Sequence, residues 1–563
     1  MRLPKRTSRG SSFFLVRTSA WLLLGLCCWG GNLPLGHGHW KDDVDYTRLA
    51  TMLGSALPLG GGVPIAMVEA PNVASQYFPD INSVEFSAMT DPLMTVVTFT
   101  DGSGGQANGF SNHATNLVAG QFFGNTGSVV LGANAVTVYE AGSYLNNVLH
   151  TPSGPLPETQ NFRVQNFSWV GSYDNTPLDP PTATELGNDV KALRRLDSLI
   201  DRDNITAVVG LNNGITAMPR LLAQSYNSIA VGRFDGLHST GLTDIADYGP
   251  GRSKPEIVIN QLTTSSATAS VSSMATFLHS VVTGTDAAQN EVVKATLLAG
   301  ATKNEFTSWS RTTTQPLDNT FGAGEGNIYN SYLITQGGQF AGSNSPSTPV
   351  GSHGWDYQTI STGAANELKY NFHIPAGSTA QEFSIILAWN VAVQTPFNTQ
   401  TLSNLDIKFT NSLDQIIDQS ISTVDNVEHI YLTNLAAGDY TLTVSNNSIT
   451  SRDFGLAWRT ATLFDNFSAD FDEDGDVDGR DFLTWQRGYG KLLGAAHGEG
   501  DADGDGDVDT DDVLLFQAQY LPVLNTPAVL AVAVPEPGTL ALLTGGMCFY
   551  VLGRSRSRTC RRT

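Results

Sequence analysis

Four residues of this chain, Glu69, His113, Asn212 and Ser265, stand where apolar runs end or helical patterns begin. Ser265 follows the run Ile257, Val258, Ile259 through a Thr/Ser turn and opens a small-residue helical pattern that continues to Leu278. Unpaired N–H groups and the positive end of the helix dipole gather at a helix start, which favours an anionic oxygen there. A serine that attacks a carbonyl generates such an oxygen. An imidazole can take the hydroxyl proton, a carboxylate can orient the imidazole, and an amide can donate to the oxyanion. Singly, each residue also reads as a cap, a turn residue or a surface acid. Together, in the order acid, His, Asn, Ser, they read as an acyl-transfer site.

A second set is acidic. Thirteen aspartates fall between Asp470 and Asp512. Asp470, Asp472, Asp474, Asp478 and Asp481 occupy positions 1, 3, 5, 9 and 12 of a loop with Gly475 at position 6. Asp501, Asp503, Asp505, Asp509 and Asp512, with Gly506, repeat it. Carboxylates at 1, 3 and 5 surround one hard cation, the glycine makes the sharp turn, and position 7 (Asp476, Asp507) offers a carbonyl. A solvated acidic linker would not repeat position for position.

The elements that position the first set alternate between helix and strand. Gly62–Ala70, Ile205–Gly214 and Ser228–Gly236 are mostly apolar runs of the buried parallel-strand kind. Val190–Ile200 has the spacing of an amphipathic helix, and Asn112–Asn125 starts another with Leu117, Val118 and Phe122 as packing residues. Such alternation over 45–340 predicts an α/β domain with a largely parallel sheet, whose sites lie beyond the carboxyl ends of its strands.

Here the local motifs resemble those of subtilisin-like serine peptidases. IAMVE ending at Glu69 resembles the acid strand, and HATNLVAG from His113 resembles H-G-T-H-V-A-G with one residue inserted. Leu211-Asn212-Asn213-Gly214 resembles the oxyanion turn, and TTSSATASVSS from Thr263 resembles the nucleophile motif. KPEIVIN at 254–260 resembles the lead-in to that motif. NFSWVG at 166–171 resembles the strand lining the substrate cleft, which implies Ser168, Trp169 and Gly171 as substrate-binding residues. The resemblance implies Ser265 as nucleophile, His113 as base, Glu69 as orienting acid, Asn212 as oxyanion donor and a polypeptide substrate. Departures are the Glu in place of Asp, and Ala114, Leu211, Thr263 and Ala269 at motif glycines and a proline.

From 346 to 462 the period changes to two, with six short strands predicted at Leu368–Ile374, Phe383–Val391, Leu405–Asn411, Glu428–Leu435, Asp439–Asn446 and Phe454–Ala461. This β-sandwich resembles jelly-roll and pre-peptidase C-terminal domains. Residues 467–522 resemble a type I dockerin, which implies two Ca2+ sites, with Asp476 and Asp507 among the ligands, and a cohesin or envelope polymer as partner.

Both ends read as export signals. Lys5, Arg6, Arg9 and Arg17 precede an apolar run from Ala20 to Trp29, giving a signal peptide over 1–39. Residues 534–563 hold a Pro-Glu-Pro, an apolar span expected as a transmembrane helix, and Arg554, Arg556, Arg558, Arg561 and Arg562. They resemble a PEP-CTERM sorting signal, implying an exosortase-type processing enzyme and transient anchoring at the cell envelope. All four cysteines (27, 28, 548 and 560) lie in these two segments. Between them no disulfide, zinc or redox site can be built from cysteine. The net charge of −22 argues against nucleic acid as a partner. The expectation is an exported, calcium-stabilised serine endopeptidase. The alternative is a non-catalytic surface-binding or scaffold protein with a degenerate domain of the same fold.

Overall fold

The computed structural model describes residues 40–87, 96–173, 183–464, 469–472, 477–492, 494–502, 506–510, 512–513 and 515–516. The chain divides into two units, Met1–Asn466 and Phe467–Thr563. The signal peptide, the sorting signal with its apolar span, and Asp474, Asp476, Asp503 and Asp505 lie outside the described residues. Among the described residues no helix is long and apolar enough to cross a membrane.

The first unit is built on a parallel sheet of seven strands: β1 (Ile65–Glu69), β2 (Thr98–Asp101), β3 (Ala135–Glu140), β4 (Val164–Phe167), β5 (Thr206–Gly210), β6 (Ile229–Arg233) and β7 (Ile257–Ile259). The spatial order is β2-β3-β1-β4-β5-β6-β7. The chain leaves β1 for one edge and returns to its other side at β4, so the order reverses at β1, where an open parallel sheet leaves a crevice. Alternation along each strand supplies both faces. Ile65, Met67 and Val208 join one buried cluster and Val68, Ala207 and Val209 another.

Four helices frame this sheet and its neighbour: α1 (Ala183–Asp203), α2 (Thr264–Val281), α3 (Asn290–Gly300) and α4 (Ile328–Gly337). From Thr264 to His279, α2 is buried at every position, which its run of Ser, Thr and Ala permits because small side chains let a helix lie close to its neighbours.

The strands that follow are β8 (His353–Ile360), β9 (Leu368–Ala388), β10 (Leu405–Asn411), β11 (Ile416–Ser420), β12 (Val427–Asn446) and β13 (Arg452–Phe464), in the order β8-β13-β9-β12-β10-β11. Here the sequence reading needs correction. Two of the expected strand pairs are single long strands, β9 and β12, that stay paired with each other throughout and shift register between Ile374 and Thr379. The Pro- and Gly-containing segments mark a bend shared by both strands, not a chain reversal. Bending folds the sheet over its own core: Phe372 and Phe383, on opposite sides of the bend in β9, meet edge-to-face at 5.1 Å. This β region is no loose appendage. Asn390 donates to Asn290 and Glu291 of α3, Asn426 donates to the Tyr226 carbonyl, and the Arg459 guanidinium donates to the Ala299 and Ala301 carbonyls.

The second unit contains α5 (Gly479–Gly488) and a small apolar cluster of Ala469, Phe471, Ala502 and Phe516.

Candidate active site

The carboxyl ends of β1 and β4 and the start of α2 converge on one point. Glu69 is the last residue of β1 and is buried. Its Oε2 lies 3.2 Å from His113 Nδ1. The other imidazole nitrogen, Nε2, lies 3.1 Å from Ser265 Oγ. His113 is about half exposed and Ser265 is nearly buried, so one edge of the relay faces solvent. With a carboxylate at Nδ1, the proton of the neutral ring belongs on Nδ1, which leaves Nε2 free to accept from Ser265.

The segment that carries His113 explains how an inserted residue is tolerated. His113–Ala119 is π-helical, and the Gly120 N–H reaches back five residues to the Thr115 carbonyl. A π turn holds one residue more than an α turn, which accommodates the extra residue of HATNLVAG relative to the motif it resembles. Ala114, in place of a motif glycine, is buried in the apolar core.

Ser265 is held by the start of α2. Thr263 is the N-cap, its hydroxyl accepting from Ser266 N–H at 3.1 Å. Thr263 thus caps the helix that carries Ser265. In this first turn the Ser265 N–H has no helical i−4 partner.

The two asparagines of the Leu211–Gly214 turn behave differently. The Asn212 amide donates to the Ala217 carbonyl at 3.2 Å, and its N–H goes to Ser239 Oγ. Asn213 reaches the helix start, where its Oδ1 accepts from Thr264 N–H at 2.9 Å. The pairing of Asn213 with His238 fixes the turn so that this second asparagine meets α2.

The expected substrate-binding residues are also placed. Ser168 Oγ donates to the Ser265 carbonyl at 2.9 Å, and Ser265 Oγ lies 3.3 Å from the Ser168 carbonyl. Trp169 is buried in the apolar cluster with Phe167, Leu221 and Leu222, so its ring belongs to the core and not to an open cleft. The Gly171 carbonyl accepts from Leu221 N–H at 3.0 Å.

Electrostatics bind the relay together. Burial lowers the His113 pKa, but the hydrogen bond and charge of Glu69 outweigh it and hold the imidazole above its ordinary value. Burial pushes the Glu69 carboxyl up, opposed by the same imidazole. The direct pairing governs the couple, since a proton gained on His113 is held by the carboxylate behind it.

In the second unit, Asp470, Asp472 and Asp481 bring carboxylate oxygens within 4.8 Å of one another, and so do Asp507, Asp509 and Asp512. Two bonds repeat between the loops. Asp481 accepts from Phe471 N–H and Asp478 N–H; Asp512 accepts from Ala502 N–H and Asp509 N–H, at the same sequence separations. Asp478 also caps α5, and Asp501 accepts from Gly506 N–H at 3.0 Å. An all-oxygen carboxylate set of this kind fits a hard divalent cation.

No protein-family model matches the sequence, and no curated protein matches it. Among solved structures, the patellamide maturation protease PatA is similar to 49% of this chain over 98% of its own, at 15% identity and a TM-score of 0.33. The epidermin leader peptide processing serine protease EpiP from Staphylococcus aureus is similar to 53% of this chain over 80% of its own, at 12% identity and a TM-score of 0.34. The pre-peptidase C-terminal domain of a Bacillus anthracis collagenase is similar to 20% of this chain over 92% of its own, at 12% identity and a TM-score of 0.16.

Proposed function

We propose that this chain is an exported serine endopeptidase acting through Ser265, His113 and Glu69. The observation that carries the reading is the position of His113, with Ser265 Oγ at 3.1 Å on one ring nitrogen and Glu69 Oε2 at 3.2 Å on the other. In this reading Ser265 Oγ attacks the scissile carbonyl carbon while His113 Nε2 takes the hydroxyl proton. Glu69 stays ionised, holds Nδ1–H and stabilises the imidazolium. The oxyanion is met by the Ser265 N–H, the positive end of α2 and the Asn213 amide. The imidazolium then protonates the leaving amine, and the same base deprotonates the water that releases the acyl group.

A degenerate, purely scaffolding domain would have no reason to keep three reacting groups within hydrogen-bond reach of one another. The test is labelling of the full chain with a fluorophosphonate probe. Labelling that disappears in Ser265→Ala supports the reading. A folded wild-type protein that stays unlabelled overturns it.

The C-terminal unit is assigned in the same proposal to two Ca2+ ions. Asp470, Asp472, Asp478 and Asp481 would serve the first, and Asp501, Asp507, Asp509 and Asp512 the second. Cohesin or envelope attachment, and exosortase-type processing of the C-terminal tail, complete the proposed life of the protein at the cell envelope.

A further inference from the structure

Two of the four residues of β4 are buried amides, Gln165 and Asn166, and only Asn166 is linked to α2 by a side-chain hydrogen bond. Strand neighbours Val164 and Phe167 join the apolar clusters on the two faces of the sheet, and Asn166 is as fully buried as they are. A buried amide without partners is costly, so its partners identify what it is for. Asn166 Nδ2 donates to Ser168 Oγ at 3.0 Å, and Ser272 Oγ lies 2.9 Å from Asn166 Oδ1 and 3.0 Å from the Thr268 carbonyl, the nearer acceptor being the amide. Ser168 Oγ has one proton, and its shortest acceptor is the Ser265 carbonyl at 2.9 Å; the contact from Ser168 Oγ to Asn166 Oδ1 is longer, at 3.4 Å. The polar chain therefore runs from Ser272 through Asn166 and Ser168 to the backbone of Ser265.

This chain grips α2 at two levels, Ser265 in its first turn and Ser272 two turns later, and both grips pass through one amide on the central sheet. Sliding or rotating α2 against β4 would break both. Ser168 also meets Ser265 reciprocally, hydroxyl to carbonyl in each direction. The Ser168 carbonyl is thus a competing acceptor, 3.3 Å from Ser265 Oγ, while His113 Nε2 is at 3.1 Å. A small drift of the helix would turn the Ser265 hydroxyl hydrogen bond toward the carbonyl and away from the base.

We infer that Asn166 is a positioning residue that, through Ser168 and Ser272, sets Ser265 Oγ against His113. The inference rests on Ser265 being the nucleophile. Misplacing a reacting atom by about 1 Å costs about 10²-fold in rate. Asn166→Ala is therefore expected to slow fluorophosphonate labelling of the full chain by roughly 10- to 100-fold. The loss should fall on kcat with KM nearly unchanged, and the His113 limb of the pH profile should stay in place. Ser168→Ala keeps the amide and removes only the hydroxyl link, so it tests the same path should Asn166→Ala fold poorly. Ser168→Thr, which restores a hydroxyl, should recover much of the rate. Asn166→Ala/Ser168→Ala should be no slower than the worse single variant, because both cut one path. Folded Asn166→Ala and Ser168→Ala proteins labelled at the parental rate would overturn the inference, as would additive losses in the double variant. An unlabelled parent would instead overturn the reading of Ser265 itself.

Discussion

Glu69 touches His113 with one oxygen only: Oε2 lies 3.2 Å from Nδ1, while Oε1 is buried without a hydrogen-bond partner among the described residues. The carboxylate is thus anchored by the imidazole alone, and its reach depends on the full length of the glutamate side chain. Glu69→Asp draws the carboxylate back by about one C–C bond, ~1.5 Å. Catalysis by Glu69→Asp should fall by roughly 10- to 100-fold, measured as kcat/KM on a peptide substrate or as probe labelling rate. An aspartate variant at least as active as the parent would show that the glutamate is not matched to its place.

Glu69→Gln tests the electrostatics. Activity needs a neutral His113, so it rises with pH through the His113 pKa, which Glu69 holds above its ordinary value. Removing the negative charge lets burial dominate and lowers that pKa. The acid limb of kcat/KM against pH should therefore move to lower pH, while the maximum drops by as much as ~10⁴-fold. A limb that stays in place would separate Glu69 from the titration of His113.

The adjacent asparagines give a discriminating pair. Loss of one oxyanion donor costs ~10²–10³-fold in kcat. Asn213→Ala is expected to show such a loss and Asn212→Ala only a small one, since the Asn212 amide is spent on the Ala217 carbonyl. The reverse ranking would return the oxyanion role to Asn212.

That pair also shows what a linear reading can see. Glu69, His113 and Ser265 were legible because each is tied to a local signal, an apolar strand end or a helix start. The choice between Asn212 and Asn213 depends on a turn pinned from a distance by His238 and Ser239, which no local pattern carries. The strands Thr98–Asp101 and Ala135–Glu140 were not singled out. Thr98–Asp101 is a half-exposed edge strand, and its sequence has little apolar content to announce it. In the β region, the period-two pattern breaks into short strands where both long strands bend together, a property of the pair that neither strand shows alone.

Acid should destabilise the first unit through His279. This residue is buried on α2, 3.0 Å from Thr206 Oγ1, and burial, helped by the charge of Arg163, lowers its pKa to about 3. Unfolded, it titrates near ~6.5. Between these values the unfolded chain binds a proton that the folded chain refuses, so stability falls as pH drops, by up to ~1.4 kcal/mol per pH unit. His279→Gln should flatten the fall in melting temperature between pH 6.5 and 4. Some slope should remain, because partly buried His353, at about 4, acts in the same direction.

Calcium should order the second unit. Addition of Ca2+ to chelator-treated protein should raise its melting temperature and protect 467–522 from proteolysis, with two ions bound per chain. Asp470→Asn and Asp501→Asn should each remove one ion, as read by calorimetric titration. Stoichiometry that is unchanged in both variants would exclude these loops as the sites.

The β region is pressed closely against the helices behind the site. Gly455 of β13 is paired with Tyr357 on one side and Ala388 on the other, so it sits mid-sheet and cannot swing away. A Cβ added there would lie 2.4 Å from the Glu291 carbonyl carbon and 2.5 Å from Val292 N, both backbone atoms of α3. Neither partner can yield by a rotamer change, so Gly455→Ala must part the strand from α3. Overpacking of this kind costs roughly 1–3 kcal/mol. Separation here also strains the buried contacts from Asn390 to Asn290 and Glu291. Because α3 packs on α2, the disturbance should reach Ser265. Gly455→Ala is expected to lower the melting temperature and to slow labelling of Ser265 at temperatures well below it. Gly187→Ala is the control: on α1, nothing lies within 4 Å of the added methyl, and a helical Gly→Ala change should stabilise by roughly 0.5–1 kcal/mol. Equal melting temperatures for Gly455→Ala and the parent would mean that strand and helix do not lie this close in solution.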